Sequence, residues 1–381
     1  MRTPGEELAH LESESLRRSL RRIESPQGPH VLLSGREVLN FSSNDYLGLA
    51  DSPDLVGAFQ ENLSRYGVGS GASRLVCGSL APHVELEQKL ADVKKTEAAL
   101  TFSSGFATAT GAIPAICQKD DVIILDKLSH ASLIDGSRLS GATIRVFPHN
   151  DLDKLRKHLN WAKENVGSNG RILVITESVF SMDGDLAPLS EICDLKDEFG
   201  ALLLVDEAHA FGIIGPQGRG LAAELGLETR IDFHMGTFSK ALGLSGGYLC
   251  SSKEWIDLWT NRARSFIYST APSPALAATI ADALELITRE EGEALRTKLW
   301  ENIHHFSAEA TSAIIPLILG ENDKALQVSQ DLQERGFLVP AIRFPTVPRG
   351  TARLRVTISA AHSSEEIDSL KSALAEFIST S

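Results

Sequence analysis

Leu202-Leu203-Leu204-Val205-Asp206-Glu207-Ala208-His209 is an apolar run that ends abruptly in two acids and a histidine. Four consecutive large aliphatic residues suit a strand covered on both faces, and the polar stop marks the carboxyl end where such strands open into sites. A second segment of this kind, Ile231 to Met235, leads into Thr237-Phe238-Ser239-Lys240. Outward from these two, apolar strand-like runs recur at Ala98 to Phe102, Val122 to Leu125, Ile144 to Phe147, Ile172 to Thr176 and Gly247 to Cys250. Helix-patterned stretches lie between them, such as Val84 to Lys95, where Leu86, Leu90 and Val93 recur at helical spacing. The alternation predicts an α/β fold: a mostly parallel seven-stranded sheet with right-handed crossovers and ligands at the strands' carboxyl ends.

The flanks read differently. Residues 1–50 form an N-terminal arm, with a polar helix, a break at Pro26, Gly28 and Pro29, and a strand pair around Val31 to Leu33 and Val38 to Phe41. The large domain covers 51–285. After Pro272 and Pro274 comes a long alanine-rich helix, then shorter strands at Ile314 to Leu319, Leu338 to Ile342 and Ala352 to Ile358. These predict a smaller α+β domain over 286–381.

Composition excludes several functions. The 381 residues are 43% hydrophobic and 23% charged, the balance of a soluble globular protein. A formal charge of -13 argues against a nucleic-acid partner, since phosphate-backbone binding relies on surplus lysine and arginine. No apolar run reaches membrane-spanning length, so no membrane is expected. Met1 to His10 places no apolar stretch behind a basic start, which makes the cytoplasm the expected compartment. Cys77, Cys117, Cys193 and Cys250 are widely spaced, which fits a reduced compartment and leaves no metal site of ordinary thiolate spacing. One basic cluster, Leu16-Arg17-Arg18-Ser19-Leu20-Arg21-Arg22, puts its leucines at i and i+4 and predicts a helix face flanked by arginines. It reads as a solvated face, or as a place where one arginine meets an anionic substrate.

Lysine just past a strand can form a Schiff base, and aspartate at a neighbouring strand end can keep a pyridine nitrogen protonated. Together they point to pyridoxal 5′-phosphate. Thr101-Phe102-Ser103-Ser104-Gly105-Phe106-Ala107 follows a strand and opens a helix, so its backbone N–H groups can cradle a phosphate, with Thr237 as a further contact. An ordinary serine helix cap is the competing reading. Gly67-Val68-Gly69-Ser70-Gly71 lacks dinucleotide-loop spacing and follows a helix, which leaves it a flexible turn. His130, shortly after the strand Val122 to Leu125, can stack on a pyridine ring or serve as a hydrogen-bonded structural histidine. The run Thr176 to Asp185 offers hydroxyls and acids at another strand end. Arg353 and Arg355 share one side of a C-terminal strand, where guanidinium can hold a carboxylate.

With these residues assembled, the chain resembles the α-oxoamine synthase family of pyridoxal-phosphate enzymes from about Leu39 to the C-terminus. The resemblance is carried by Asn40 to Leu49, Ser129-His130-Ala131-Ser132, Val179 to Asp185, Asp206 to His209 and Thr237 to Lys240, and in finer detail by Ala341 to Pro348 with Gly350 to Arg355. It implies a fold type I transferase acting as a homodimer with shared active sites. Lys240 would carry the cofactor, Asp206 pair with its ring nitrogen and His130 stack on the ring. Ser181 and His209 would bond its phenolic oxygen, while Gly105, Phe106 and Thr237 surround the phosphate. Asn44 and Arg355 would hold the substrate carboxylate, and Thr346 and Arg21 line the acyl side, with Arg18 or Arg22 as replacements for Arg21. Glu207 departs from a commoner aspartate, with no change of chemistry expected. The branch most resembled joins L-alanine to a pimeloyl thioester. Glycine-using members (2-amino-3-ketobutyrate ligase, 5-aminolevulinate synthase), a serine-using palmitoyl transferase, an aminotransferase and a cofactor-free scaffold stay open as alternatives.

Overall fold

The computed structural model describes residues 3–378. Its internal contacts group residues 49–181 and 185–297 into one compact unit, and 3–48, 182–184 and 298–378 into another. The residues read as a separate arm therefore share a unit with the C-terminal segment. The changeover after residue 297 falls inside the helix Glu290–Phe306, beyond the alanine-rich helix Pro274–Thr288.

In chain order, the smaller unit begins with β1 (His30–Leu33) and β2 (Arg36–Asn40). The larger unit contributes β3 (Ala98–Phe102), β4 (Val122–Asp126), β5 (Thr143–Phe147) and β6 (Ile172–Glu177). Its remaining strands are β7 (Leu202–Asp206), β8 (Phe233–Thr237) and β9 (Gly247–Ser251). These seven form one sheet in the order β3-β9-β8-β7-β6-β4-β5. Only β9 runs against its neighbours. The expected seven-stranded, mostly parallel sheet is thus present, each strand within two residues of its expected bounds.

Continuous burial explains the apolar runs. Every residue of β4, β6, β8 and β9 is buried, because helices cover both faces. Leu125, Leu173, Ile175, Leu204 and Phe233 pack with Ile113 and Ile116 of the helix Gly105–Ile116 and with Trp259. Trp259 is fully buried, and its indole N–H donates to the Ala112 carbonyl at 3.2 Å. Each such large apolar side chain contributes about 1.5–3 kcal/mol relative to exposure. The carboxyl ends of β4, β6, β7 and β8 lie side by side, and the polar residues Glu177, Asp206 and Thr237 end three of them.

The smaller unit completes its sheets with β10 (Ile314–Gly320), β11 (Phe337–Leu338), β12 (Ala341–Ile342) and β13 (Ala352–Thr357). They form two three-stranded sheets, β1-β2-β11 and β10-β13-β12. The single strand expected over Leu338 to Ile342 is two strands in different sheets. Pro340 has no N–H to continue a ladder, and its carbonyl instead accepts from Arg355 N at 3.1 Å. The helix expected over Leu16 to Arg22 is also absent. The polar helix Pro4–Ser13 stops at Ser15, whose φ of 53° is left-handed, and the N–H groups of Leu16 and Arg17 both turn back to the Leu11 carbonyl. Residues 16–22 carry no helix, and Leu20 is fully exposed, so its spacing from Leu16 reflects no shared face.

Candidate active site

Lys240, Asp206, His130 and His209 line a single cavity of about 240 Å³ in the larger unit, together with Gly105, Phe106 and Thr237. Seven of the residues expected to serve a cofactor are thereby brought together. Asp206 ends β7 at the middle of the sheet, and Lys240 follows β8 by three residues. The Lys240 Nζ lies 2.8 Å from His209 Nε2. Burial raises the Asp206 carboxyl above its ordinary range, while the Lys240 charge and the Ala208 N–H, 2.9 Å away, work against the rise.

His130 caps the helix Ala131–Ser140: its Nδ1 accepts from Ser132 N at 3.2 Å and lies 2.8 Å from the Ser132 hydroxyl. An Nδ1 that accepts a backbone N–H carries no proton of its own, so the neutral ring keeps its proton on Nε2. Burial favours that neutral form and lowers the His130 pKa, with Lys240 acting in the same direction and Asp206 opposing.

The helix Gly105–Ile116 opens beside Thr237. Ser104 is its cap, and the Ser104 hydroxyl accepts from Ala107 N at 3.0 Å, so the ordinary cap and an anion-ready terminus coexist. The N–H groups of Gly105 and Phe106 have no acceptor within their own helix. A Cβ on Gly247 would lie 2.6 Å from Gly105 N and 2.5 Å from Thr108 Oγ1, so glycine at the head of β9 is what lets this strand pass so close to the helix terminus. The Thr237 hydroxyl donates to the Gly246 carbonyl at 2.6 Å and lies 2.8 Å from Ser239 Oγ.

Sequence reasoning gave no site role to three polar lining groups, Ser132, Ser239 and Glu177. Ser239 was visible only as part of the lysine segment. Glu177, one of the acids of the Thr176 to Asp185 run, ends β6 directly beside Asp206, is fully buried, and accepts from His130 N at 2.5 Å. Burial, reinforced by Asp206, pushes its carboxyl up to about 8. A strand-end position next to Asp206 was the available signal. Ser181 is buried but does not line the cavity.

Glu207 points away from this chemistry. It is fully buried against Lys94 Nζ at 2.5 Å, and its other oxygen accepts from Ala222 N at 3.1 Å. Burial alone would raise it, but Lys94 and His234 overcome that and hold it down to about 2. Nearby, His149 sits between Asp126 (3.0 Å) and Asp185 (2.7 Å). Burial works against its charge, yet hydrogen bonds to these two carboxylates raise it to about 10.

The remaining expected residues lie in the smaller unit. Arg355, on β13, donates to Asn44 Oδ1 at 3.1 Å and to Thr357 Oγ1 at 2.9 Å. Arg353, two residues away, is bound to Asp183 at 2.6 Å, so the two arginines of the strand have different partners. Thr346 and Arg21 line a second cavity of about 530 Å³ with Arg17, Arg18 and Arg343. Within it, the arginine that reaches the Thr346 hydroxyl is Arg18, at 3.2 Å. Arg22 pairs with Glu24 at 3.0 Å and does not line the cavity.

Residues 36–374 match the family described as aminotransferase class I and II. An 8-amino-7-oxononanoate synthase of Geotalea daltonii is 46% identical over 98% of this chain and 97% of its own. A second, from Herminiimonas arsenicoxydans, is 45% identical over 97% of each. Among solved structures, serine palmitoyltransferase from S. paucimobilis, with bound PLP-myriocin aldimine, superposes with a TM-score of 0.91 at 30% identity, covering 98% of this chain and 97% of that one.

Proposed function

Because this chain belongs to the aminotransferase class I and II family, and within it to the 8-amino-7-oxononanoate synthases, we infer that it is a pyridoxal-phosphate-dependent acyltransferase. Its reaction joins L-alanine to a pimeloyl thioester, giving 8-amino-7-oxononanoate, carbon dioxide and the free thiol, a step of biotin biosynthesis. The observation that carries this reading is the convergence of Lys240, Asp206, His130 and a helix N-terminus in one cavity. The donor set fits the cofactor: an amine for its aldehyde, a buried carboxyl for its ring nitrogen, a flat imidazole for its ring, and backbone N–H groups with two hydroxyls for its phosphate.

Bound there, pyridoxal 5′-phosphate supplies an electron sink for the charge that develops on the amino acid's α-carbon. Asp206 keeps a proton at the ring nitrogen. The Lys240 amine, once free, takes the α-proton and later returns one, with His209 holding Nζ in place. His130 offers its Nε2 proton to the oxygen of the thioester carbonyl as the new carbon–carbon bond forms and the thiolate leaves. The carboxylate of alanine, held by Arg355 and Asn44, departs as carbon dioxide, because the adjacent ketone stabilises the charge left behind. His209 serves the phenolic oxygen, while Thr346 and an arginine of the arm take the acyl chain.

We further propose a homodimer with shared sites. Val68, Leu75, Val76 and Tyr268 leave large apolar side chains more than half exposed, and the segments bearing them are joined by the Ser73–Thr270 bridge and by Ala271 N donating to the Ala72 carbonyl. A second copy of the chain would cover them. No helix among the described residues is long and apolar enough to cross a membrane, and we propose that the enzyme works in the cytoplasm.

The test is a thiol-release assay of cofactor-loaded protein with alanine, glycine or serine, with and without pimeloyl-coenzyme A. Release requiring alanine and the pimeloyl thioester together is expected. Release with glycine and a short acyl thioester instead would keep the family and overturn the substrate.

A further inference from the structure

Three neighbouring parallel strands of the larger unit each end in a buried acid: Asp126 on β4, Glu177 on β6 and Asp206 on β7. Two of the three have a cation at hand. Asp126 is paired with His149 at 3.0 Å and also accepts from Leu128 N at 2.8 Å and Asn150 N at 2.9 Å. Asp206 feels the Lys240 charge and accepts from Ala208 N. Glu177 is ion-paired with no lysine, arginine or histidine among the described residues, and its carboxyl takes one backbone N–H, that of His130 at 2.5 Å.

Two adjacent buried carboxyls that share one cation do not both ionise, so one of them keeps a proton. The surroundings select Glu177. Burial first, then Asp206, raise it to about 8, with Asp126 adding to the rise while Lys240 and the His130 N–H work against it. Glu177 lines the cavity beside His130, and His130 is fastened twice, by its N–H to Glu177 and by its Nδ1 to Ser132 N. The two bonds fix the direction of the ring and leave its Nε2 proton as the donor. An ionised Glu177 would set a second negative charge against a cavity in which negative charge develops during the reaction, where low dielectric makes the repulsion strong.

We propose that Glu177 is a positioning residue that works as the uncharged acid: it fastens the backbone of His130 at the helix cap and leaves Asp206 the one carboxylate charge that faces the cofactor ring. The proposal rests on the functional reading above for the ring and goes beyond it in giving Glu177 a role. Its sign is definite. As pH rises through the titration of Glu177 the proton is lost and condensation slows, whereas below that titration the proton is held.

The experiment compares the wild-type holoenzyme with Glu177→Gln, which keeps an acceptor for the His130 N–H and has no proton to lose, and with Glu177→Leu, which has no acceptor. Infrared difference spectra between pH 6.5 and 9.5 should show the wild type losing a protonated-carboxyl band that Glu177→Gln does not have. Thiol release at pH 7 should fall about 10- to 100-fold in Glu177→Leu and be largely restored in Glu177→Gln. Between pH 7.5 and 9.5, wild-type kcat/KM should fall about tenfold further than that of Glu177→Gln. Exchange of alanine's α-hydrogen for deuterium without thioester, which needs Lys240 and not the His130 proton, should change less than about threefold in Glu177→Leu at pH 7. The same band in Glu177→Gln would place the proton on another carboxyl and overturn the proposal. A loss in Glu177→Gln as deep as that in Glu177→Leu would overturn it too, as would equal losses of exchange and condensation, the mark of a general disruption. A wild-type holoenzyme that releases no thiol from any thioester would overturn the functional reading instead, and the infrared comparison would still decide where the proton sits.

Discussion

Asp206 ends the middle strand of a seven-stranded sheet and is buried, whereas Arg18 lies on an arm segment without regular structure and is exposed. The first is fixed by ladder hydrogen bonds on both sides and by packing beneath it. The second depends on two backbone carbonyls held by Arg343 and on one hydroxyl. Charges that must sit still for covalent chemistry are best built on rigid elements, while charges that meet a variable chain can be carried on a segment held by few bonds. Substitutions in the larger unit should therefore strike kcat and cofactor retention, and those in the smaller unit should strike KM for substrates.

The hardest test of this division is Lys240→Ala. It should lower turnover by about 10⁴-fold or more while leaving the fold intact, as read by thiol release beside thermal unfolding. Near-normal turnover would break the comparison at its centre. Next is Lys94→Met, which strands Glu207 as a buried carboxylate in the loop just after Asp206. It should destabilise the protein by about 3–5 kcal/mol in denaturant unfolding and loosen cofactor binding. A loss of only a few tenths would show that this loop is less rigid than its burial suggests. In the smaller unit, Arg355→Gln should raise KM for alanine about 10- to 100-fold and spare the cofactor's affinity. A loss of cofactor would blur the division.

The smallest effect is a pH dependence in the larger unit. His149 is raised from 6.5 to about 10 by its two carboxylates, so the folded protein holds a proton there that the unfolded chain gives up. The stability this provides is full below about pH 6.5 and is lost as pH rises through about 10. His149→Gln should be less stable at pH 6 by on the order of 1–3 kcal/mol and should flatten the decline between pH 7 and 10. An unchanged profile would show that Asp126 and Asp185 find other partners. The clamp would then add nothing to the sheet's rigidity.

The same contrast explains what could be read from the sequence. Strands buried on both faces must be continuously apolar, so the larger unit's sheet was legible, and with it the strand ends carrying Asp206 and Lys240. Glu177 escaped notice because an acid after a strand is usually a turn residue, and only its register beside Asp206 distinguishes it. The smaller unit was legible in outline alone. Its two-residue strands carry no period, and the sheet change at Pro340 follows from partners far away in the chain. Leu16 and Leu20 have helical spacing, yet Ser15 stops the helix before reaching them. That Arg18 and not Arg21 meets Thr346 depends on the path of an irregular backbone, which spacing does not encode.

The pairing of β2 with β11 sets an order of events during synthesis. Arg36 donates to the Glu334 carbonyl 298 residues further along, and Leu39 pairs with Phe337. The first three-stranded sheet therefore cannot close until nearly the whole polypeptide has left the ribosome. Residues 49–297, by contrast, supply every strand of the seven-stranded sheet, and it can form while the C-terminal segment is still being translated. The nascent chain can thus complete its cofactor cavity before its first three-stranded sheet, and a message truncated before residue 337 would yield that cavity with the β1–β2 pair lacking its third strand, β11.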